Sequence, residues 1–140
     1  MYHLKQGRWD QLQQDAKLIR TQVFIVEQHI PEAEEWDEHD AISQHFVIYD
    51  QDQPIATARL LQNHSVGRVA VVKAYRGQGI GRMIMLEIIA YAQQQARPHL
   101  RLSSQTHAVS FYQQLGFIVQ GDEYDECGIP HIEMTISIDR

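Results

Sequence analysis

The segment best suited to chemistry is Arg76-Gly77-Gln78-Gly79-Ile80-Gly81-Arg82, which follows the apolar run Val69-Ala70-Val71-Val72 and opens a long amphipathic stretch. A strand that turns through glycines into a helix makes an anion site. The first turn of a helix leaves its amide N–H groups unpaired, and the helix dipole adds partial positive charge there. Glycine lets a phosphate reach the backbone without meeting a Cβ. Arg76 and Arg82 bring formal positive charge to the same place. The plainer reading of these residues is a glycine-rich turn that only joins strand to helix.

Spacing narrows the choice of ligand. A P-loop needs Gly-Lys followed by Ser or Thr, and the sequence has none. A dinucleotide fingerprint needs a glycine where Arg82 stands, and an acidic residue about 20 positions further on at a strand end. Other chemistries fare no better. The 8 histidines show neither the helical i,i+4 spacing nor the clustering with cysteine that a zinc site requires, so no metal is expected. No Gly-x-Ser-x-Gly elbow occurs, and Cys127 has no activating neighbour in sequence.

The glycine segment needs a scaffold, which hydrophobic periodicity supplies. Leu12, Ala16, Ile19, Val23 and Val26 recur at spacings of four and three, predicting a helix over 10–26 capped by Asp10 with Gln13 as partner. Pro31 and the acidic run behind it predict a loop or short helical turn through Asp40. Strand-like runs follow at 45–49, 55–61 and 66–72, an antiparallel meander. A second helix is predicted over 79–96, burying Ile80, Met83, Ile84, Ile88 and Tyr91. Then come a strand at 100–103, a short helix at 108–115 stopped by Gly116, and strands at 117–120 and 132–138. Alternating Ile132, Met134, Ile136 and Ile138 mark a buried face and offer a surface for a homodimer. With no repeat, linker or low-complexity tract, the expectation is a single domain over 1–140, of the α+β class with a mixed twisted sheet, in which a meander precedes β-α-β-α-β-β.

Composition sets outer limits. A content of 44% hydrophobic and 21% charged residues is that of a globular protein, and no apolar run is long enough to span a bilayer. The start Met1-Tyr2-His3-Leu4-Lys5-Gln6 lacks the core of a secretion signal, and the lone Cys127 cannot form an internal disulfide. Both point to the cytoplasm. A net charge of −6 argues against a nucleic-acid partner. Between Arg20 and Arg59 there is no Lys or Arg, yet half of the carboxylates lie there, including Glu32, Glu34, Glu35, Asp37, Glu38 and Asp40 around Trp36. That run could attract a cationic ligand, with Trp36 stacking on it, or could be a solvated loop.

The pattern Arg76-x-x-Gly79-x-Gly81 after a Val-rich strand resembles the pyrophosphate-binding motif of the GNAT superfamily of N-acetyltransferases. The likeness extends through nearly the whole chain. Arg20-Thr21-Gln22-Val23-Phe24-Ile25-Val26-Glu27-Gln28, His45, Gln105-Thr106-His107-Ala108, Phe111-Tyr112-Gln113-Gln114-Leu115-Gly116-Phe117 and Gly128-Ile129-Pro130-His131 are similar to the ElaA/YjcF-like branch. The resemblance implies transfer of acetyl from acetyl-CoA to an amine in a ternary complex. Backbone groups of Val69, Ala70 and Val71 would pair with the pantetheine arm, and residues Arg76, Gly77, Gln78, Gly79, Ile80, Gly81 and Arg82 would hold the pyrophosphate. By the same resemblance Ser103 would stand beside the cofactor, where many relatives carry Asn. Tyr112 would be the general acid for the leaving thiolate and Glu27 the base. His107, His131, Glu34, Glu35 and Trp36 would lie on the acceptor side. The competing expectation is a non-catalytic acyl-CoA-binding or interaction module with the same fold.

Overall fold

The computed structural model describes residues 1–138; the last two residues of the expected 1–140 domain lie outside that range. The chain begins with β1 (Tyr2–Gly7) and α1 (Trp9–Arg20), then a π-helical turn (Thr21–Glu27), the one-turn α2 (Glu32–Glu35) and a 3₁₀ turn (Glu38–Ile42). The meander β2 (Gln44–Asp50), β3 (Gln53–Leu60) and β4 (Ser65–Val71) leads to α3 (Ile80–Gln94) and β5 (His99–Gln105). A 3₁₀ turn (Thr106–Ala108), α4 (Val109–Gln114) and the hairpin β6 (Ile118–Glu126) and β7 (Ile129–Ser137) complete it. The strands form one sheet in the order β1-β2-β3-β4-β5-β7-β6. This is the expected α+β fold with one strand more at the front.

That strand, β1, pairs antiparallel with β2 from Tyr2↔Asp50 to Gly7↔His45. Its apolar side chains are only Tyr2 and Leu4, so alternation over six residues is too weak to read. β2 and β3 are buried nearly throughout because helices cover both faces. From α1, Trp9 packs on His45 and Asp15 accepts the Tyr49 hydroxyl at 2.5 Å; from α3, Tyr91 meets Phe46 edge to face.

Helix details differ from the sequence reading for local reasons. The cap of α1 is Arg8, whose amide donates to Gln11 Oε1 at 3.0 Å; Asp10 is already inside the first turn. The π-helical turn adds a residue to the winding, so Val23 and Phe24 are buried but Val26 turns out to solvent, 62% exposed. In α3, Met85 and Ala92 are fully buried, while Met83 faces out and Tyr91 is half-buried. Both edges of β7 are taken, by β5 and β6, so the free edge at this end of the sheet belongs to β6 and not to the strand over 132–138.

Candidate active site

A cleft of about 900 Å³ opens where two strands part. β4 and β5 are parallel neighbours joined at only two positions, Ser65↔Arg101 and Val66↔Leu102. Beyond these, Val69, Ala70 and Val71 line one side of the cleft and Ser103, Ser104 and Gln105 the other. A bulge sits at the parting. Thr57 and Arg59 of β3 face Ala70 and Gly67, so β4 holds one extra residue, and Arg68 adopts φ +52°.

The expected anion site forms the floor at one end. Gly77 and Gly79 have φ of +78° and +81°, and a Cβ on either would meet nothing within 4 Å. Their glycines answer to backbone conformation and leave open space for a ligand. Gly79 caps α3, and Met83 N is bonded to Gly79 O at 3.0 Å, which leaves the preceding first-turn amides free to face an anion. Gly81, in the first turn of α3, has a different reason: a Cβ there would stand 3.3 Å from Phe111 Cζ of α4 and 3.8 Å from Val71 Cγ2 of β4, so its bare backbone lets α3 pack closely against both. Arg76, Gly77, Gly79, Ile80, Gly81 and Arg82 all line the cleft. Gln78 does not; its Oε1 accepts the Tyr2 hydroxyl at 2.8 Å, tying this loop to β1.

Tyr112 lines the middle of the cleft and is 8% exposed, with Phe111 and Phe117 edge-on to its ring. Its hydroxyl has no hydrogen-bond partner among the described residues, and burial pushes it up to about 12. The phenol therefore keeps its proton at neutral pH. Glu27 also reaches the cleft, but Arg76 grips both its oxygens, Nη1 to Oε2 at 2.9 Å and Nη2 to Oε1 at 2.8 Å. Arg76 Nε donates to Val71 O at 2.9 Å as well. The expected base and an expected phosphate ligand are thus paired with each other.

The other end of the cleft is roofed by the segment from the π-helical turn to α2. Gln105 Nε2 donates to Gln28 Oε1 at 2.9 Å, and the Cys127 thiol, at the β6–β7 turn, donates to Glu34 Oε1 at 3.0 Å. His107, Glu126 and His131 line this end with them. Ser103 Oγ is hydrogen-bonded to the Tyr124 hydroxyl, a partner that sequence spacing did not suggest.

Residues 10–138 match the acetyltransferase (GNAT) domain. The chain belongs to this family. Among GNAT relatives it is 36% identical over 124 residues to the uncharacterized N-acetyltransferase YjcF of Bacillus subtilis, across 86% of this chain and 89% of that protein. It is 33% identical over 126 residues to protein ElaA of Escherichia coli, across 84% and 82%, which places it in the ElaA/YjcF-like branch. The crystal structure of ElaA superimposes with a TM-score of 0.88 at 28% identity, over 97% of this chain and 99% of that one. An acyl-CoA N-acyltransferase from Pseudomonas aeruginosa gives the same TM-score at 29% identity, over 97% and 99%. The protein is therefore a GNAT acyltransferase, and the GNAT fold binds acyl-CoA. The residues here fit such a ligand: open positive-φ glycines at a helix N-terminus for phosphates, and parted strand edges for an extended arm.

One expectation is corrected in this GNAT domain. The acidic run is not an unneutralised surface, because the fold brings three arginines to it. Arg20, 1% exposed, donates to Glu35 Oε2 at 2.7 Å and Asp40 Oδ1 at 2.8 Å; Arg59 donates to Asp37 at 2.7 Å and Asp40 at 2.8 Å; Arg68 lies 3.1 Å from Glu35 Oε2 and 3.3 Å from Asp37 Oδ2. Burial pushes the Asp37 carboxyl up, but the Arg59 hydrogen bond and the charges of Arg59 and Arg68 prevail and hold it at about 2. Glu35, 2% exposed, is thereby committed to structure. Trp36 lies over Arg20 and Lys17, 5.0 and 5.4 Å from the ring centre, and is not among the cleft residues. Of the expected acceptor-side residues, Glu34, His107 and His131 remain in the cleft with a polar group to offer.

Proposed function

We propose that the protein is an acetyl-CoA-dependent N-acetyltransferase that passes acetyl directly to a primary amine in a ternary complex. The observation that carries this reading is the Tyr112 hydroxyl: buried in the cleft wall, without a partner among the described residues, and holding its proton. A group in that state can give a proton to a departing thiolate. Acetyl-CoA supplies an activated acyl group. The amides at the start of α3 and the side chain of Arg82 hold its phosphates, and the edge of β4 over 69–71 holds the extended arm and offers an N–H to the thioester oxygen. Such a donor is worth about 2.7–4 kcal/mol in mutational data. Of the cleft carboxylates, Glu27 and Glu35 are paired with arginines, whereas Glu34 and Glu126 have no arginine partner among the described residues, which supports an acceptor of positive charge.

The test is release of free thiol from acetyl-CoA with a panel of amines: 1,4-diaminobutane, a hexosamine, a lysine peptide and a peptide N-terminus. Thiol release with at least one amine, matched by its acetylated product, supports the enzyme. Acetyl-CoA binding by calorimetry with no thiol release under any acceptor supports the non-catalytic module.

A further inference from the structure

The structure assigns the general base of this reaction to His131, an assignment that rests on the N-acetyltransferase reading above. His131 stands on β7 between Gln105 of β5 and Tyr124 of β6, lines the acceptor end of the cleft, and its side chain is 9% exposed. Its Nδ1 lies 2.7 Å from the Ile129 carbonyl oxygen. A carbonyl only accepts, so Nδ1 carries the hydrogen and the neutral ring keeps its lone pair on Nε2. Nε2 has no hydrogen-bond partner among the described residues. Its nearest carboxylate, Glu126 Oε2, is 3.9 Å away, beyond hydrogen-bond reach. The ring is held in orientation by stacking on Tyr124, whose hydroxyl is itself fixed by Ser103.

The charged and titratable groups on the elements around His131 are Glu126 and Tyr124 from β6, His107 from the turn after β5, Cys127 from the hairpin turn, Glu133 on its own strand, Glu34 and Glu35 from α2, and Arg68 from β4, which is held by Glu35 and Asp37. None of these hydrogen-bonds Nε2. Glu27 is placed less well for the task, since Arg76 occupies a lone pair on each of its oxygens and pins it beside the phosphate end.

The proton balance closes. The acceptor enters as an ammonium, R–NH₃⁺, and Nε2 takes one proton to give the free amine and an imidazolium. The amine nitrogen forms a C–N bond to the thioester carbonyl carbon, and the C–S bonding pair leaves with sulfur. Tyr112 protonates the thiolate, and the second proton lost from nitrogen as the amide forms restores the phenol through water. His131 then gives its proton to solvent. Each turnover yields one amide, one thiol and one released proton.

The test uses the full chain with acetyl-CoA and whichever panel amine the parent acetylates. His131→Asn keeps a donor for the Ile129 carbonyl and deletes Nε2. Expected are a fall in kcat/KM of about 10²–10⁴-fold, a pH–rate profile whose ascending limb moves to that set by the amine's own ionisation, unchanged acetyl-CoA affinity by calorimetry, and partial recovery of His131→Ala by added imidazole. A second readout needs neither variant nor acceptor: long-range ¹H–¹⁵N correlation on the parent at pH 8 should show Nδ1 protonated and Nε2 bare. The opposite tautomer overturns the assignment, as does a His131→Asn enzyme with the parent's pH profile. A parent inactive with every amine overturns the N-acetyltransferase reading and this assignment together, whereas an active parent indifferent to His131 overturns this one alone.

Discussion

Replacing Arg20 by Met keeps an apolar stem of similar length and deletes the guanidinium at the centre of the buried ion network. Arg20 donates through Nε, Nη1 and Nη2 to Glu35 Oε2 at 2.7 Å, Asp40 Oδ1 at 2.8 Å, the Glu35 carbonyl at 2.9 Å and Asp40 Oδ2 at 3.2 Å. After the change, Glu35 keeps Arg68 as its one arginine, and Asp40 keeps Arg59 together with the Asp37 backbone N–H. Breaking a buried ion pair by removing one partner costs about 3–5 kcal/mol, and because each carboxylate retains one arginine the lower figure, about 3 kcal/mol, applies. Unfolding entropy near the midpoint is about 2.1 cal/mol/K per residue, which for 140 residues makes about 0.3 kcal/mol/K. The expected fall in Tm is thus about 10 °C. The same arginine ties α1 to α2, which carries Glu34 to the cleft, so KM for the acceptor should rise while acetyl-CoA affinity holds. Thermal and guanidinium unfolding of the two proteins side by side measure the first effect, and steady-state kinetics the second. A midpoint within about 3 °C of the parent, with unchanged denaturant slope, would refute the claim that these charges are desolvated and depend on Arg20.

Gly79→Val, which puts a β-branched residue at φ +81°, should cost about 1–2 kcal/mol of stability and weaken acetyl-CoA strongly by calorimetry; a folded variant with parent affinity would move the phosphate site elsewhere. Gly81→Ala needs Phe111 to yield only a few tenths of an ångström, so its effect on cofactor affinity should be smaller than that of Gly79→Val in the same experiment. Tyr112→Phe should lower turnover by about 10²–10⁴-fold with acetyl-CoA affinity nearly intact, and an unaltered rate where chemistry is limiting removes Tyr112 from the mechanism. Asp37 is held at about 2 in the folded state against 3.8 ordinarily, so its contribution to stability is present above about pH 4 and is lost as pH falls through about 2. Asp37→Asn should therefore flatten the loss of stability between pH 4 and 2, and parallel curves for the two proteins would contradict the pairing with Arg59.

The glycine-rich end of the cleft was legible because glycine placement is a direct record of backbone conformation. Gly77 and Gly79 show this. Gly81 has a cause that spacing did not reveal, since only the fold brings Phe111 against it. The π-helical turn was hidden because its composition, Thr21-Gln22-Val23-Phe24-Ile25-Val26-Glu27, continues the apolar spacing of α1. That extra residue changes which side chains face the cleft: Glu27 turns in and Val26 turns out. His131 was expected on the acceptor side and does line the cleft, but its tautomer depends on a carbonyl two positions back, a matter of strand geometry that no spacing reveals.

The acidic run shows why charge counted along a chain misleads about charge at a site. Over the stretch from Arg20 to Arg59 no cation intervenes, and sequence alone leaves the carboxylates free. The partners come from 15 to 33 positions away: Arg20 from the end of α1, Arg59 from β3, and Arg68 from a bulge at which it adopts a positive φ and reaches Glu35. A carboxylate that is 2% exposed and held by two guanidinium groups cannot also recruit a substrate without giving up one of them, at a cost of several kcal/mol that a weakly bound amine does not offset. Attraction at the cleft must therefore come from carboxylates with no buried partner. Glu34 and Glu126 meet that condition, and they come from opposite ends of the sequence. Of the other charged cleft residues, Arg68 is held by Glu35 and Asp37 and Arg76 by Glu27, which leaves Arg82 at the start of α3 as a positive pole and Glu34 and Glu126 as a negative one. That polarity suits an anionic cofactor entering from one side and a cationic amine from the other, and it arises from what the ion network leaves over rather than from the run itself.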